Sequence, residues 1–384
     1  MSVRIAQLAN FVGPASGGMK TAVERLGRGY VEAGAQRLLV IPGPRDQRTE
    51  TEYGDVVQVR APQVGGGYRL IVEPWRVIDV LEQFAPTSLE ISDKSTLLPV
   101  ARWARKNGVA TILFSHERLD AMLSLRTGRQ SGIAASVGVI NRVLVRQFDR
   151  VVVTSRFAMR EFRQVAAAAG TAVHRIPLGV DLATFRPPEE RAARSDVLRL
   201  VHVGRLSREK SPHLAVATAV DLHRRGVPLR LDVYGTGPHR DELEEIAADA
   251  PVTFHGHVSD RDELAERIGE ADIALSVCPG ETFGLAVLEA LACGTPVVTA
   301  AYGGARELVD ESCGAWGEPD PRSLGDAVLE LASRPADQTR DAARERAEQF
   351  CWSSTVRDMV ALHADRSTTG GYLHLVGGLA EQTA

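Results

Sequence analysis

Short apolar runs alternate with longer amphipathic stretches along the first half of the chain. Apolar positions three and four apart predict helices at Lys20–Ala33, Trp75–Gln83 and Leu97–Asn107. Strands separated by helices are typical of βαβ units, so this half predicts a parallel sheet. The predicted strands are Val3–Ala9, Arg37–Ile41, Val56–Val59, Ser88–Ile91, Ala110–Ser115 and Arg150–Thr154.

The same alternation restarts after residues 174–188, where Pro and Gly interrupt both periods and indicate a connection between domains. The pattern therefore predicts two α/β domains, 1–180 and 181–348, with a ligand cleft at the carboxyl ends of the strands. A last helix is predicted within 349–366 and a flexible tail at 367–384. The strands of the second domain are predicted at 198–204, Leu229–Tyr234, Val252–His255, Ile273–Ser276 and Pro296–Thr299.

Composition supports two globular domains in a reducing compartment. The chain has 384 residues, of which 44% are hydrophobic, enough for two full cores. Its four cysteines lack Cys-x-x-Cys spacing, so neither a disulfide framework nor a zinc site is expected. We expect no signal peptide and no membrane span, because no apolar run approaches 18 residues.

Charge is distributed unevenly along the chain. The net charge is −4, but residues 1–180 carry 24 Lys and Arg against 15 Asp and Glu, a net +9. This excess indicates an anionic partner for the first domain, such as a phospholipid surface or an acidic acceptor. The alternative is that these are ordinary solvated arginines on helix faces.

The segment 277–296 predicts a strand, a Pro-Gly turn and a helix that begins near Phe283. Helix N-termini bind phosphate through free amides and the dipole, and Gly284 permits close backbone approach. Glu281 lies just before the helix, and Glu289 lies about five residues inside it, about 7–8 Å along the axis from the helix start. This spacing suits a nucleotide diphosphate sugar, with one carboxylate at the sugar hydroxyls and the other at the ribose. Either glutamate alone would more often be an ordinary helical charge.

Two cations follow the first strand of the second domain. Gly204 ends that strand, and Arg205 and Lys210 stand on the loop after it. A leaving diphosphate needs its growing charge neutralised, which an Arg fork and a Lys point charge can do. As isolated residues they would be ordinary surface cations.

Two further features occur in the first domain. Gly17 and Gly18 precede a helix and offer amides to a phosphate or an acceptor, although a simple tight turn is the alternative. Their loop does not match Gly-x-Gly-x-x-Gly, so a dinucleotide site is not predicted. His116 follows a strand and could donate to the sugar or to the departing oxygen, although a strand-end His is more often structural.

Together these motifs resemble the family-4 retaining glycosyltransferases of the GT-B fold, over about residues 3–365. The resemblance is carried by Glu281-x7-Glu289, Gly204-Arg205-Leu206 with Lys210, Leu178-Gly179-Val180-Asp181 with Phe185, and the Gly17-Gly18 loop. It implies two Rossmann-like domains facing across a cleft, with the last helix crossing back onto the first domain. It also implies reaction on one face of the sugar through an oxocarbenium-like state, and no protein nucleophile is obvious.

The resemblance implies roles for individual residues. Arg205 and Lys210 would stabilise the diphosphate, and Glu281 would contact the donor sugar. His116 would lie against that sugar, and the Gly17-Gly18 pair against the phosphate and the acceptor. The donor would further be bound by Gly204, by Val258 in the base pocket, by Thr282, Phe283, Gly284 and Leu285, and by Glu289 at the ribose.

No metal is expected at the site. Asp260-Arg261-Asp262 matches the DxD signature of other transferases in form, but Ser259–Glu263 reads better as a helix cap with acids in the first turn. Arg205, Lys210 and the helix dipole would already balance the diphosphate. No cofactor is expected beyond the nucleotide-sugar donor.

Within the family, three stretches look closest to GDP-mannose-dependent phosphatidylinositol-mannoside mannosyltransferases: residues 9–18, Glu90–Asp93 and Ser115–Asp120. The expected function is transfer of mannose to a hydroxyl of a phosphoglycolipid, in the cytoplasm or at the inner face of the plasma membrane. The alternatives are another nucleotide hexose and a soluble or natural-product acceptor, a non-catalytic sugar-nucleotide-binding protein, and an epimerase of the same fold. The expected partners are the donor, a glycan or glycolipid acceptor and an anionic membrane surface, but no nucleic acid.

Overall fold

The structure is a computed structural model that describes residues 3–10, 17–64, 68–92, 94, 96–116, 133–189 and 196–365. Its chain divides into two compact units. Among the described residues, the first unit comprises 3–177 and 352–365, and the second comprises 178–351. The tail predicted at 367–384 lies outside the described residues, as do Asp93 and Glu117–Asp120 of the finer resemblance.

The first unit is built on a largely parallel sheet. Its strands are β1 (Arg4–Leu8), β2 (Gln36–Gly43), β3 (Gln47–Thr49), β4 (Asp55–Arg60), β7 (Ser88–Ile91), β8 (Ala110–Ser115), β9 (Arg150–Val153) and β10 (Ala172–Arg175), with β5 (Gln63–Val64) and β6 (Tyr68–Arg69) paired separately. The described strands of the sheet run in the order β10-β9-β8-β7-β1-β2-β4-β3. Only β3 and β4 among these described pairs are antiparallel, because a short hairpin joins them.

The second unit contains a sheet in which all the described strands are parallel. Its strands are β11 (Leu198–Val203), β12 (Leu229–Tyr234), β13 (Val252–Gly256), β14 (Ile273–Ser276), β15 (Val297–Ala300) and β16 (Gly314–Gly317). They run in the order β13-β12-β11-β14-β15-β16. This is the doubly wound order of nucleotide-binding folds, which confirms the predicted α/β class with two Rossmann-like domains.

The helices that were predicted, at Lys20–Ala33, Trp75–Gln83, Leu97–Asn107, after Phe283 and within 349–366, have observed bounds within a few residues of the predicted ones. The first unit contains α1 (Gly18–Glu32), α2 (Pro74–Phe84), α3 (Leu98–Lys106), α4 (Ile133–Val145) and α5 (Arg156–Ala169), together with the last helix, α12 (Trp352–Ala364). The second unit contains α6 (Pro212–Arg224), α7 (Arg240–Ala247), α8 (Arg261–Glu270), α9 (Leu285–Ala292), α10 (Pro321–Ala332) and α11 (Ala336–Glu348). Within the described ranges, none of these helices is both long and apolar enough to cross a bilayer.

Local signals fix where several helices begin and end. The Ser155 side chain accepts from Ala158 N at the start of α5, and Gly170 ends it at a φ of 70°. Proline occupies the first turn of α2, α3, α6 and α10, where its missing N–H costs nothing. These are sequence-local effects, which is why the periodicity predicted the elements well.

Each unit has its own aliphatic core. In the first unit, side chains of the central strands pack against α2, α3 and α5, with Leu8, Leu89 and Phe162 fully or almost fully buried. In the second unit, Leu200, Leu231 and other strand residues pack against α6, α7 and α10. Burial of such side chains contributes about 1.5–3 kcal/mol each, so each sheet is held rigidly beneath its loops.

A buried polar network attaches α12 to the first unit. His363 Nε2 lies 3.2 Å from Glu90 Oε2, and Tyr30 donates to the same oxygen at 2.6 Å. Ser88 Oγ lies 2.8 Å from His363 Nδ1, and Gln7 Nε2 donates to Glu90 Oε1 at 3.0 Å. All five side chains are nearly inaccessible to solvent. The network therefore joins α1, the sheet and the last helix through one carboxylate.

Two details of the predicted organisation were wrong. The connection predicted from residue 174 begins later, because His174 and Arg175 belong to β10 and pair with β9. This edge strand buries only Val173 among its four residues, so its pattern was too weak to read. Strand β16 was not predicted, since Gly-Ala-Trp-Gly has low β-propensity and forms a strand only by pairing with β15.

Candidate functional site

The site is built at the carboxyl edge of the second unit's sheet. β11 and β14 are parallel neighbours, paired at Leu200↔Ile273 and Val201↔Ala274. The chain proceeds from β11 toward β12 on one side, and from β14 toward β15 on the other. Ligands of open α/β sheets bind at such a reversal of strand order. Both predicted donor motifs begin here, one directly after β11 and the other directly after β14.

The predicted cation Lys210 and the predicted carboxylate Glu281 are in direct contact. Lys210 Nζ donates to Glu281 Oε2 at 2.7 Å, and the two side chains are 40% and 17% exposed. Lys210 ends a short 3-10 turn, Arg208–Lys210, and Glu281 precedes α9. The structure thus brings together two residues, 71 positions apart, that the sequence assigned to one ligand.

Cys278 links the two loops that carry this pair. Its Sγ donates to the carbonyl oxygen of Glu209 at 3.1 Å, and the side chain is buried. Burial raises the pKa of the Cys278 thiol to about 11, so the thiol stays protonated at neutral pH. Cys278 is therefore a structural hydrogen-bond donor here and not a thiolate nucleophile.

Arg205 lies on the same loop as Lys210. Its Nη1 is 3.6 Å from Glu209 Oε1, and its side chain is 36% exposed. Ion pairs this exposed contribute about 0–1 kcal/mol, so exchanging their carboxylates for a diphosphate costs little. Charge-assisted hydrogen bonds to phosphate oxygens are stronger than neutral ones. The loop is therefore suited to reversible binding of a polyanion.

The turn before α9 contains Gly284, which was predicted to permit close approach of the backbone to a ligand. Its φ is 103°, in the left-handed region that favours glycine, and α9 starts at Leu285. Thr282 and Phe283 are buried on the way into the helix. The first turn of any helix has N–H groups without intrahelical partners, and here they lie beside Glu281 and Lys210 at the strand edge.

Glu289 is the fifth residue of α9 and is paired with Arg261. Arg261 Nη2 donates to Glu289 Oε1 at 2.9 Å, and the Glu289 side chain is 14% exposed. Burial raises the pKa of the Glu289 carboxyl, whereas the Arg261 guanidinium acts in the opposite direction. Arg261 also lies 4.9 Å from the centre of the Phe185 ring. From the sequence, Arg261 was interpreted only as part of a helix cap, so its contact with Glu289 was not predicted.

Val258 lies on a groove of about 680 Å³ between α8 and the face of β12 and β13. Tyr234 and His255 form one wall, with their rings stacked at 4.7 Å and an interplanar angle of 15°. His255 Nε2 is also 2.7 Å from Asp232 Oδ1. The groove reaches the loop predicted to hold the base, and flat ring surfaces of this kind can stack on an aromatic ligand.

Two glycines outside the predicted motifs hold the two loops in place. A Cβ on Gly235 would lie 1.9 Å from the carbonyl oxygen of Gly204, and one on Gly304 would lie 2.0 Å from that of Thr282. Gly304 N also donates to the carbonyl oxygen of Glu281 at 2.6 Å. Any side chain at either position would displace a predicted donor loop. The available signal was Gly-x-Gly after β12 and Gly-Gly after β15.

The remaining predicted residues belong to the first unit. Gly17 caps α1, and its carbonyl oxygen accepts from Thr21 N at 3.2 Å. Gly18 is the first residue of α1, and both glycines are exposed. They follow β1, which neighbours β7 at the point where this sheet reverses its strand order. The pair therefore stands at the position where the first unit would present backbone amides to a ligand.

His116 follows β8 and is held on two sides. Its ring stacks on Phe114 at 4.3 Å, and its Nε2 lies 3.1 Å from Ser92 Oγ. Burial lowers the pKa of His116 to about 4. The imidazole is therefore neutral at pH 7, where it can donate or accept one hydrogen bond but does not act as a cationic acid.

We expect His116 to make the first unit less stable as the pH falls. The unfolded chain takes up a proton near pH 6.5, whereas the folded chain does so only near pH 4, so stability is lost across this window. The loss should reach ~2 kcal/mol at pH 5 relative to pH 8. Urea unfolding at both pH values should show a smaller difference for His116→Asn. The exposed His223→Asn should keep the wild-type difference, and an unchanged slope in His116→Asn would contradict the assignment.

The Asp-Arg-Asp sequence forms the helix cap that was predicted. The Asp260 side chain accepts from the backbone N–H groups of Asp262 and Glu263 at the start of α8. Its oxygen is thereby used to satisfy the helix terminus. In the described part of the chain, no group of three His, Cys, Asp or Glu side chains is placed to hold a metal ion.

Both halves of the chain match known protein families. Residues 187–350 match the family described as "Glycosyl transferases group 1". Residues 17–179 match the family described as "Glycosyl transferase 4-like domain". The two matches together span both described units.

Two curated relatives align over nearly the whole chain. The GDP-mannose-dependent alpha-(1-6)-phosphatidylinositol dimannoside mannosyltransferase of Mycobacterium tuberculosis (strain ATCC 25177 / H37Ra) is 39% identical over 369 residues, or 94% of this chain and 95% of the relative. The D-inositol 3-phosphate glycosyltransferase 1 of Catenulispora acidiphila is 27% identical over 395 residues, or 94% of each chain.

Solved structures share the fold at lower identity. Sucrose-phosphate synthase from Thermosynechococcus elongatus gives a TM-score of 0.78 at 22% identity, with 94% of this chain and 98% of that chain covered. Anabaena HepE in complex with UDP and glucose gives 0.70 at 16% identity over the same shares. At these identities the likeness concerns the fold alone, which is that of the GT-B enzymes.

Proposed function

The chain belongs to the group 1 glycosyltransferases of GT-B fold, and from this premise we propose that it transfers mannose from GDP-mannose to a hydroxyl of a phosphatidylinositol mannoside with retention of configuration. One observation carries the donor half of this proposal. Lys210 and Glu281 are in contact on the loops that follow β11 and β14, and a glycine-capped helix start comes directly after Glu281. The mannosyl donor and the lipid acceptor are supported by the 39% identity to the mycobacterial enzyme.

The arrangement supports different roles in the reaction for the individual residues. In the reaction, the bond from the sugar C1 to the β-phosphate oxygen breaks, and the acceptor oxygen bonds to C1 on the same face. The acceptor proton passes to a phosphate oxygen of the departing diphosphate. Arg205 and Lys210 would stabilise the charge that grows on this diphosphate. Glu281 would hold the sugar hydroxyls, and Glu289 the ribose.

We also propose roles for residues of the first unit. His116, neutral because of its lowered pKa, would donate one hydrogen bond toward the sugar without adding charge. Gly17 and Gly18 would offer backbone amides to the phosphate or the acceptor. We further propose that the enzyme meets its lipid acceptor as a peripheral protein at the inner face of the membrane, where the basic first domain faces anionic headgroups.

A second acceptor class is supported by one observation. The Catenulispora relative, aligned over 94% of both chains, is named for D-inositol 3-phosphate, a soluble acceptor. A soluble phosphorylated cyclitol shares a phosphate and ring hydroxyls with the lipid headgroup. The same loop amides could therefore bind either acceptor, and the acceptors need to be compared directly.

The donor and the acceptor can be tested with the purified full-length chain. We expect GDP-mannose to raise the Tm and to be hydrolysed slowly, more than UDP-glucose or GDP-glucose. Added phosphatidylinositol dimannoside should accelerate release of GDP, and the product should carry an α-mannose by NMR. Stabilisation by UDP-glucose alone would overturn the mannosyl donor. Faster GDP release with inositol 3-phosphate than with the lipid would favour the soluble acceptor, and binding without turnover would indicate a non-catalytic protein.

A further inference from the structure

Helix α4 presents an apolar stripe to solvent. Val139, Ile140 and Val143 have exposed fractions of 60%, 50% and 48%. They account for three of the seven large hydrophobic residues that are exposed in the described part of the chain. Residues three and four apart are neighbours on a helix surface, so Val143 lies beside both Ile140 and Val139 and the three side chains form one continuous surface.

The opposite side of α4 is fully used by the core. Val137, Leu144 and Val145 are buried, and Asn141 Nδ2 donates to Glu161 Oε1 at 3.1 Å. These buried contacts therefore fix which side of α4 faces the core. Exposure of the stripe is a consequence of this anchoring, because turning the stripe inward would expose the core side.

Arginines frame the apolar stripe at one side and at its C-terminal end. Arg142 is exposed on α4, and Arg146 is exposed in the turn directly after it. From α3, Arg105 Nη1 donates to the carbonyl oxygen of Arg146 at 2.5 Å, and Arg102 Nε donates to Gln147 Oε1 at 2.8 Å. Asp149 lies 3.5 Å from Arg105 and offsets one of these charges. We call the three apolar residues and the four arginines the α4 face.

We propose that the α4 face binds the anionic headgroup layer of a phospholipid bilayer. This inference rests on the lipid acceptor of the proposed function. Interfacial helices place apolar side chains at the boundary of the acyl region and basic side chains among the phosphates. The long stems of arginine allow both contacts at once. The apolar centre and the basic frame of the α4 face match these two layers.

The size of the stripe favours a bilayer over a protein partner. A stable protein interface buries about 800 Å² on each partner and excludes charge from its centre. Three side chains with adjoining arginines are far short of that area. A bilayer instead adds the attraction of many phosphates, and each basic residue near an anionic surface contributes about 1 kcal/mol, or roughly fivefold in binding.

Vesicle flotation with the full-length chain tests this surface. The wild-type chain should bind to and float with phosphatidylcholine vesicles that contain about 30 mole per cent of the anionic lipid phosphatidylinositol. Added salt should weaken this binding, because it screens the charge of the headgroups. Arg142→Ser/Arg146→Ser should reduce binding by about 25-fold at low salt. Val139→Ser/Val143→Ser should reduce it by about tenfold and should leave the salt dependence in place.

Matched controls exist in the second unit. Val197→Ser removes another exposed apolar side chain, and Arg224→Ser another exposed arginine. Both should float like the wild type, and all variants should keep the wild-type Tm. Equal flotation of the α4 variants and the controls, or equal binding to pure phosphatidylcholine, would overturn the proposal. A wild-type dimer in analytical ultracentrifugation that the Val139→Ser/Val143→Ser chain does not form would do so as well.

The donor reaction separates this inference from the proposed function. Slow hydrolysis of GDP-mannose in the absence of lipid should be unchanged in the α4 variants, because the α4 face contains none of the proposed donor residues. If the chain binds vesicles as expected but does not hydrolyse or transfer from GDP-mannose, the proposed function is contradicted and the membrane-binding role of the α4 face is not. If the chain uses GDP-mannose but the α4 variants bind vesicles as well as the wild type does, the membrane-binding role of the α4 face is contradicted and the proposed function is not.

Discussion

Replacing Lys210 by alanine should lower kcat at least about 100-fold, as removal of other preorganised anion stabilisers does. The cation stands at the switch point of the second sheet, where charge would grow on the leaving diphosphate. The substitution also leaves Glu281, which is 17% exposed, without its 2.7 Å partner next to the incoming phosphates. The measurement is kcat and KM for GDP-mannose with the lipid acceptor.

A neighbouring residue supplies a matched control. Arg208 belongs to the same 3-10 turn, but its side chain is 61% exposed and lies 3.7 Å from Glu242. Arg208→Ala should therefore keep kcat within a few-fold of the wild type. If Arg208→Ala and Lys210→Ala lost activity equally, the effect would belong to the fold of the turn and not to the charge at Lys210.

A double substitution separates two ways in which Lys210 could act. If Lys210 only neutralised Glu281, adding Glu281→Gln to Lys210→Ala should restore most of the turnover. If Lys210 stabilises the diphosphate, as we propose, the double variant should remain at least as slow as the single one. The coupling between two residues in contact is the quantity that such a cycle isolates.

The second large effect is expected for stability. Glu90→Ala should destabilise the first unit by about 3–5 kcal/mol, because removing a buried carboxylate leaves the buried side chains that hydrogen-bond to it without that partner. The loss is a large part of a typical total stability of about 5–15 kcal/mol. Glu90→Gln, which keeps two of the hydrogen-bonding positions but not the charge, should cost less. Urea unfolding and hydrogen exchange of α12 would measure both effects.

The contribution of Glu90 should depend on pH in a defined direction. Burial by itself raises the pKa of this carboxyl, but hydrogen bonds and charge from His363, Tyr30 and Gln7 outweigh burial and hold the pKa below its ordinary value. A lowered carboxyl pKa stabilises the fold above the unfolded pKa, and this contribution is lost as the pH falls through the folded value.

An exposed pair in the same unit is the control for Glu90. Lys20 and Glu24 lie 3.9 Å apart on α1, with side chains 40% and 59% exposed. Glu24→Ala should therefore change the free energy of unfolding by less than about 0.5 kcal/mol. A Glu90→Ala chain as stable as Glu24→Ala would show that the buried network does not hold α12 in place.

Much of the architecture was predictable because its causes are local. Strands Ser88–Ile91, Ala110–Ser115, Leu229–Tyr234 and Ile273–Ser276 have the predicted bounds, since period and β-branched content act within a few residues. The cap at Asp260 was likewise predicted, because capping depends on one side chain and its next neighbours. The family resemblance was carried by the same short segments.

Pairings between distant segments needed the tertiary structure. Lys210 meets Glu281 across 71 positions, and Arg261 meets Glu289 across 28, because the order of strands brings separate loops to one edge. The same holds for the glycine clamps at Gly235 and Gly304, whose need for glycine arises from another loop's backbone.

The sequence by itself determined the two-domain α/β class, the strand-end loops and the residues proposed to bear the donor chemistry, because hydrophobic period, turn residues and charge are local properties. The tertiary structure decided that Lys210, Glu281 and Glu289 are each paired with an opposite charge. It tied α12 to Glu90 through His363, 273 positions away. It also decided that α4 keeps one apolar side exposed. These depend on which surfaces the fold buries, and no local pattern encodes that choice.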